Sequence, residues 1–510
     1  MKLPDIIYIL PLIFVVTGAV SLMLLSTFKS ITIRRGIYFT LLFLVLAFVS
    51  NLINMNSFDE AYSVYPFADL FNKMIVIDTF SDYFTVFLLL GGILTMLIGL
   101  HYFENHKNFS VEFFSLFLFS LFGMILLVHS NELVTAYIAL EIASISMYIL
   151  IGFEKVKNKR IEASYKYLVL GSLAGVFFIF GASLIYASTQ TTVIGEVGGF
   201  ISKNINMDAS LFFIGGTMIL ITFLFKIAAF PFQNWAIDVY DGASLPVTAY
   251  MAATFKMAIF GFMLRLVLID FGSIRDEWYG ILVYVIILTL VYGSFLAIIQ
   301  RSLKRMLAAS SMVHTGYMLI AFVSVSALGE SAASSIIFYL VAYFLSSIGA
   351  FGLISYISSD DKLRITYDDF RGFAHIRPYM AAMLSIFMLS LAGIPSTIGF
   401  IGKFYIFTGA IESGHAILAI FAILATFVSV YYYFKLIAVM YFFPSAQMKG
   451  EIPPLKGVAP IVIAFIAVAI IWGGIGNTFV AYFPGVDFLI NTAKEAYESL
   501  FINCYLVQCL

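Results

Sequence analysis

The sequence predicts an all-α, polytopic membrane protein, and three observations carry that prediction. Of the 510 residues, 62% are hydrophobic, only 11% are charged, and the mean hydropathy is +1.01. Soluble chains of this size carry about a quarter charged residues. Apolar runs of bilayer-spanning length recur from end to end, fourteen of them in all. Basic residues also alternate from loop to loop. Those after odd-numbered runs hold Lys29, Arg34, Arg35, Lys107, Lys155, Lys157, Lys159, Arg160, Arg301, Lys304, Arg305, Lys362, Arg364, Arg371, Arg377, Lys449 and Lys456. The N-terminus and the loops after even runs hold Lys2, Lys73, Lys203 and Arg275, so the bias is seventeen to four. By the positive-inside rule the first set is cytoplasmic and both termini face the other side.

The first run, 5–27, follows Met1-Lys2 like a secretion signal, but it is too long for one and no small-x-small cleavage site follows, so it reads as a span. Span 2, 36–54, begins after Arg34 and Arg35. The long polar stretch from Asn54 to Asp82 contains the alternating segment Met74-Ile75-Val76-Ile77-Asp78, which predicts a small external hairpin. Spans 3 to 6 follow at 82–103, 110–129, 132–153 and 163–188. Span 7, 210–232, contains Pro231, whose ring displaces the helical bond to the Ile227 carbonyl and predicts a break. Spans 8 to 11 lie at 244–269, 278–299, 304–326 and 332–357. Span 12, 379–411, is interrupted by Pro395, which frees the Leu391 carbonyl, and loosened by Gly393, Gly399 and Gly402. Spans 13 and 14 are 415–443 and 457–482, and the mildly amphipathic tail, 484–510, is expected at the surface. The loop Asp360–Pro378, with both signs of charge, is a candidate docking loop, and Ser445–Lys456 is a short connection with Pro453 and Pro454. The organisation expected is N-terminal helices 1–109, a first five-helix unit 110–269, a second 270–443, and 444–510 as helix 14 plus tail.

Four ionisable residues lie inside these spans: Glu141, Lys226, Lys256 and Lys403. A charge at the bilayer centre costs at least about 2.5–3.5 kcal/mol, so such residues mark ion or proton paths unless they only pair statically. Lys226, in ITFLFKIAAFPFQNW, stands five residues before Pro231, and Lys403, in LSLAGIPSTIGFIGKFYIF, stands beside the second break. Broken backbone in a membrane survives only where protein or water satisfies it, and paired interrupted segments point to repeat-built transporters with midplane ion sites. The plain alternative for Lys226 is a lysine snorkelling to the interface. Lys256, in VTAYMAATFKMAIFGF, is too deep to snorkel. Glu141, in LVTAYIALEIASISMYIL, has no basic residue one turn away, so its partner is expected to be a lysine on another helix. Proximity then favours the charged pair while burial opposes it, which leaves both charge states sensitive to small movements.

His314, in MLAASSMVHTGYMLI, is the only histidine well inside a span and is a candidate proton carrier, or else a packing residue bonded to a hydroxyl. Lys166 and Glu162 are possible members of the site, or a simple helical ion pair four residues apart. Lys435, Arg265 and Asp270 read as interfacial anchors. No haem-clamping pair, dinucleotide fingerprint or cluster-binding cysteine set is present in the sequence, and Cys504 and Cys509 have no metal spacing. No cofactor, metal or nucleic acid is therefore expected on this chain.

LSLAGIPSTIGFIGKFYIF, FKIAAFPFQNWAIDVYDGASLPVTAYMA, ATFKMAIFGFMLR and LKRMLAASSMVHTGYMLIA closely resemble the antiporter-like subunits of proton-pumping NADH:quinone oxidoreductase, respiratory complex I. The resemblance implies about fourteen transmembrane helices, with two inverted five-helix repeats holding interrupted helices 7 and 12. It favours the N type: DVYDGA follows helix 7, Lys403 stands where M types tend to carry Glu, and the sequence ends soon after span 14 without the lateral helix of an L type. It further implies that Glu141 is the paired carboxylate, Lys226 the central lysine, Lys256 the connecting lysine, His314 a group on the hydrated axis and Lys403 the residue towards the outside. The partners implied are neighbouring antiporter-like and small K/J-type membrane subunits, with lipid around them. FMN, iron–sulfur clusters and quinone are expected in other subunits, and the location expected is the bacterial inner membrane. Alternatives are a subunit of a Mrp-type cation/proton antiporter, a ferredoxin- or deazaflavin-dependent relative, or a scaffold whose buried charges only fix helix register.

Overall fold

A computed structural model describes residues 3–27, 32–61, 68–106, 108–154, 158–203, 210–271, 275–358, 365–444, 457–479 and 485–508. The chain begins with α1 (Leu3–Tyr8), α2 (Leu10–Ser26) and α3 (Ile33–Ala61). An antiparallel hairpin, β1 (Ala68–Leu70) and β2 (Ile75–Ile77), then leads into α4 (Thr79–Asn105). The alternating segment thus forms the expected hairpin. Next come α5 (Val111–Val128), α6 (Leu133–Gly152), α7 (Asn158–Thr189), the short α8 (Glu196–Lys203), α9 (Ser210–Lys226), α10 (Asn234–Gly242) and α11 (Leu245–Tyr250). A π-helical turn, Met251–Phe255, joins α11 to α12 (Lys256–Ile269). The remainder is α13 (Arg275–Ile299), α14 (Leu303–Leu328), α15 (Glu330–Ile357), α16 (Phe373–Ile376), α17 (Pro378–Ala392), α18 (Ile398–Glu412), α19 (Ala416–Phe442), α20 (Val458–Phe479) and α21 (Val486–Gln508). Among the described residues, eleven helices are long and apolar enough to cross a membrane, and Leu10–Ser26, Ser210–Lys226 and Pro378–Ala392 are shorter apolar helices. The expectations for Ser445–Lys456, for most of the charged loop before Thr366, and for Cys509 lie outside the described residues.

Burial orders the helices. The most apolar stretch of α14 is 100% buried and that of α15 is 94% buried, against 39% for α3, α7 and α19. The two central helices therefore form a core, and side chains on them reach both halves of the bundle. Helix contact relies on small residues, as hydrocarbon gives no solvent drive for association. A Cβ on Gly181 of α7 would lie 2.5 Å from the Gly215 carbonyl oxygen of α9, and one on Gly215 would lie 2.7 Å from the Gly181 oxygen. Only paired glycines allow that backbone approach.

One face of the bundle carries the hairpin. Val76 N–H donates to the His129 carbonyl and Asn131 N–H to the Met74 carbonyl, each at 2.9 Å, and Ile194 N–H reaches the Asn131 carbonyl at 2.9 Å. These bonds tie the hairpin to the α5–α6 and α7–α8 connections, and Lys73 adds an ion pair to Glu196 at 2.8 Å. Asp78 caps α4 by accepting the Ser81 N–H at 2.8 Å, and Arg265 of α12 grips the same carboxylate with two bonds of 2.7 and 2.8 Å. Both side chains are 1% exposed. Arg265 is thus a buried partner rather than an interfacial anchor, because the carboxylate it meets is enclosed within the bundle. Removing one member of such a pair costs about 3–5 kcal/mol. The tail is an amphipathic helix with one exposed face and one packed face. α21 packs on α4, α12, α15 and α20, and its stripe Ala493, Ala496 and Leu500 is fully buried. Ser499 Oγ accepts the Phe80 N–H at 3.0 Å.

Asp270 is likewise buried and not an anchor. Its Oδ1 accepts the Gly195 and Gly198 N–H groups at 2.7 and 3.1 Å. Burial pushes its carboxyl up to about 7, against the opposing pull of those two bonds. An unfolded aspartate ionises near about 3.9. The folded protein therefore holds the extra proton between these values, so the stabilisation is complete below about 3.9 and is lost as pH rises through 7. Asp270→Asn keeps an oxygen for both amides and removes the titration. The thermal midpoint of detergent-solubilised protein should fall less between pH 5.5 and about 8.5 in the variant than in the parent, and equal falls would show that Asp270 does not titrate there.

Candidate functional site

Two helix breaks organise the site, and each leaves carbonyls that need donors. α9 stops at Lys226, Pro231 lies in the gap, and α10 resumes at Asn234. The Ile227 carbonyl accepts Thr315 Oγ1 of α14 at 2.9 Å, and the Phe230 N–H donates to Thr289 Oγ1 at 2.9 Å. Trp235 Nε1 donates to the Phe225 carbonyl at 3.1 Å. α17 ends at Ala392 and α18 begins at Ile398, with Pro395 between. Here the lysine itself satisfies the break: Lys403 Nζ donates to the Leu391 and Ala392 carbonyls, both at 2.9 Å. Gly393, at φ +80°, lets the lysine stem pass, since a Cβ there would meet Lys403 Cδ at 2.7 Å.

From these breaks the ionisable side chains line up through hydroxyls. Lys226 Nζ donates to Ser144 Oγ at 2.9 Å and Tyr148 OH at 3.2 Å. Glu141, Ser144 and Tyr148 follow at helical spacing on α6, so one face presents all three. Among the described residues no cationic nitrogen lies within 4.0 Å of the Glu141 carboxylate, and its Oε1 has no hydrogen-bond partner. The carboxylate stands over Gly175, where a Cβ would come within 2.5 Å of that oxygen. It is half-buried at the lateral edge, between the outward-facing Ile138 and Ile145 of α6, which are 50% and 49% exposed. Sequence reasoning paired Glu141 with a lysine directly; the structure interposes the α6 hydroxyls.

Lys256 follows the π-helical turn and donates to the Ser311 carbonyl at 2.6 Å and to Thr315 Oγ1 at 2.9 Å. Thr315 therefore joins the α9 break to Lys256 through one oxygen. Lys256 Nζ also lies 5.2 Å from the Tyr343 ring centre, which in turn lies 5.0 Å from the His314 ring. His314 bonds Tyr339 OH through Nδ1 at 2.6 Å and Tyr433 OH through Nε2 at 3.1 Å. Tyr317, at 5.8 Å from the His314 ring, carries Lys403 Nζ 4.9 Å above its own ring. Lys226, Lys256, His314 and Lys403 are all 3% exposed or less. The structure thus brings Glu141, Lys226, Lys256, His314 and Lys403 into one lateral row through the centre of the bundle.

Lys166 and Glu162 are not in that row. Lys166 Nζ bonds Glu162 at 2.7 Å and Asp238 at 2.9 Å, on the face opposite the hairpin. There they join a surface network in which Lys159 meets Asp241 at 2.6 Å and Arg305 meets Asp241 at 3.3 Å. Sequence reasoning missed Ser144, Tyr148, Thr315 and the tyrosines 317, 339, 343 and 433. Ser144 and Tyr148 were detectable by their spacing from Glu141. The tyrosines carried no signal beyond aromatic packing. Among the described residues no group of three or more His, Cys, Asp or Glu side chains is placed to hold a metal ion.

Residues 130–429 match the family described as NADH:quinone oxidoreductase/Mrp antiporter, TM. The chain is 38% identical to NADH-quinone oxidoreductase subunit N of Trichlorobacter lovleyi over 399 residues, covering 78% of this chain and 81% of the relative. Among solved structures it is similar to a chain of respiratory complex I from Thermus thermophilus with bound aureothin, at 30% identity and TM-score 0.76, over 92% of this chain and 98% of that one. A chain of the Mrp complex from Dietzia sp. shares the fold at TM-score 0.81 with 17% identity, over 99% of each chain.

Thr315→Val keeps the shape of the residue while leaving the Ile227 carbonyl without its donor and Lys256 without one acceptor. A buried polar group left unpaired costs about 1–3 kcal/mol. The thermal midpoint of detergent-solubilised Thr315→Val should drop accordingly, and Thr315→Ser should recover most of the loss. An unchanged midpoint in the valine variant would show that the break does not depend on Thr315.

Proposed function

The chain belongs to the NADH:quinone oxidoreductase/Mrp antiporter membrane family, with subunit N relatives among its matches, and from that membership we propose that it is the proton-translocating N-type membrane subunit of a bacterial NADH:quinone oxidoreductase. The observation that carries the mechanism is the row of buried side chains from Lys226 to Lys403, linked through hydroxyls and aromatic faces, with the half-buried Glu141 on the same face of α6 as the Lys226 acceptors. Quinone reduction, with its flavin and iron–sulfur centres, takes place in other subunits, and this chain moves protons. It crosses the inner membrane fourteen times, with 110–269 and 270–443 as inverted repeats whose seventh and twelfth helices are the interrupted ones. The basic face opposite the hairpin is cytoplasmic.

Glu141 sits where a neighbouring membrane subunit of the antiporter-like or small K/J type covers the lateral edge. A charge change in that neighbour resets the Glu141 carboxylate, and Lys226 feels it across the α6 hydroxyls. A Coulomb coupling of about 1.4 kcal/mol changes the proton equilibrium of the lysine about tenfold. Lys226 then exchanges its proton with Lys256 by way of the Thr315 hydroxyl and water around the α9 break. His314, held by two tyrosine hydroxyls, receives or releases a proton at either ring nitrogen, and Lys403 is the last carrier before the outside. Every cation in the row has a neutral oxygen acceptor, so each is held without being locked to a counter-ion.

Lys226→Ala and Glu141→Gln, each in the assembled complex reconstituted in vesicles, test this reading. Protons pumped per quinone reduced should fall in both. Coupled turnover should drop at least about tenfold for Lys226→Ala, equivalent to about 1.4 kcal/mol on the rate-limiting barrier. Normal pumping in both variants would remove the row from the mechanism. Co-purification with flavin and iron–sulfur subunits separates this role from that of an autonomous cation/proton antiporter.

A further inference from the structure

One turn along α4 from the Asp78–Arg265 pair stands a second carboxyl that meets no donor. Asp82 is 1% exposed, and among the described residues neither of its side-chain oxygens has a hydrogen-bond partner. Beside it is Asn51 of α3, which is fully buried. Asn51 Nδ2 donates to the Asp82 carbonyl at 3.0 Å, which fixes the orientation of the amide and leaves Oδ1 without a donor. Three acceptor oxygens on two contacting residues thus stand open in the interior. Buried polar atoms are nearly always paired, so three orphans in one place call for a ligand.

The donors nearby are committed elsewhere. A carboxylate in the first turn of a helix can draw on the free amides there. In α4 the Phe80 N–H goes to Ser499 Oγ at 3.0 Å, the Ser81 N–H to Asp78 Oδ1 at 2.8 Å, and the N–H of Asp82 itself to the Asp78 carbonyl at 3.1 Å. Arg265 of α12 holds Asp78 with two nitrogens. His129, at the end of α5, meets Thr85 Oγ1 through Nε2 at 3.1 Å and the Val76 carbonyl through Nδ1 at 3.0 Å. Asp78 lies about 6 Å along the axis from Asp82, and two bare carboxylates that close repel each other. A single proton supplies what the site lacks. It removes the charge, turns one acceptor into a donor and gives the Asn51 oxygen a partner. A metal cation would take about six oxygens, and three are open here.

We propose that Asp82 and Asn51 form a proton-binding site separate from the lysine row, with a resident proton on the Asp82 carboxyl directed at the Asn51 amide oxygen. The proton bears on the hairpin side of the fold. A neutral Asp82 leaves Asp78 as the sole anion for Arg265, so the clamp between α4 and α12 keeps its register. An ionised Asp82 would compete for the same guanidinium from one turn away. The site does not depend on the relay, because its proton stays in place while the row turns over.

The experiment records infrared spectra of the assembled complex, parent and variants, in Na⁺-free and Na⁺-containing buffer at neutral pH, where an exposed aspartate is ionised. Asp82→Asn should lose one carboxylic-acid carbonyl band that the parent shows in both buffers and that shifts in D₂O. Asn51→Leu should keep that band at a higher frequency, because its hydrogen bond is gone. Protons pumped per quinone reduced should be unchanged in Asp82→Asn, since the amide reproduces the neutral acid. No band lost in Asp82→Asn overturns the proposal. A band present only without Na⁺ assigns the site to that ion and overturns the resident proton, as does a fall in pumping of about twofold or more in Asp82→Asn. If Asp82→Asn does not assemble, the comparison of the parent with Asn51→Leu decides alone: a shifted band supports the site, and identical spectra overturn it.

Discussion

Inside hydrocarbon every carbonyl needs a donor and every ammonium needs acceptors, and in this protein the two helix breaks and the buried lysines meet those needs together with a few hydroxyls. The α17–α18 break exposes the Leu391 and Ala392 carbonyls, and Lys403 binds both. The α9–α10 break exposes the Ile227 carbonyl, and Thr315 answers it while also accepting from Lys256. Neither feature stands alone. A break without its cation or hydroxyl would leave buried polar groups unpaired, and a buried lysine without the break would carry its charge into an apolar helix bundle. The coupling also explains why the lysines are held by neutral oxygens. A carboxylate in contact would hold the ammonium by its charge, whereas carbonyls and hydroxyls stabilise it through hydrogen bonds alone.

The rest of the fold supports that arrangement. α14 and α15 are buried nearly all round and place His314, Thr315, Tyr317, Tyr339 and Tyr343 between the two breaks. On the hairpin side, the Asp78–Arg265 pair and the tail helix fix the ends of α4, α12 and α15. On the opposite face, Asp238 and Asp241 of α10 are shared among Lys159, Lys166 and Arg305, which ties the second half of the interrupted helix to both neighbours. The ends of the row differ in kind. Glu141 is half-buried beside the outward-facing Ile138 and Ile145, whereas Lys403 is enclosed, at 3% exposed.

Much of this was legible in the sequence, for physical reasons. Proline cannot continue a helix, so Pro231 and Pro395 announced both breaks and even the carbonyls they free. A charge in an apolar run is costly enough to name Glu141, Lys226, Lys256 and Lys403 without a structure. What the sequence could not show was which oxygens face those charges, because Ser, Thr and Tyr are ordinary in helices and their direction depends on packing. The same limit applied to Arg265. Its position near a span end suggested an anchor, and only the fold shows that the Asp78 cap turns towards it. The amphipathic pattern of the tail was visible, but its seat over α4 and α15 depends on where those helices end.

A single series row is the central claim, and it is tested most directly by asking whether its members act together. Protons pumped per quinone reduced should be measured in the reconstituted complex for Lys226→Ala, Lys403→Ala and the double variant. A series path predicts that each single change removes the protons carried by this subunit and that the double variant loses no more than either. Losses that add, or a single variant that pumps normally, would contradict it.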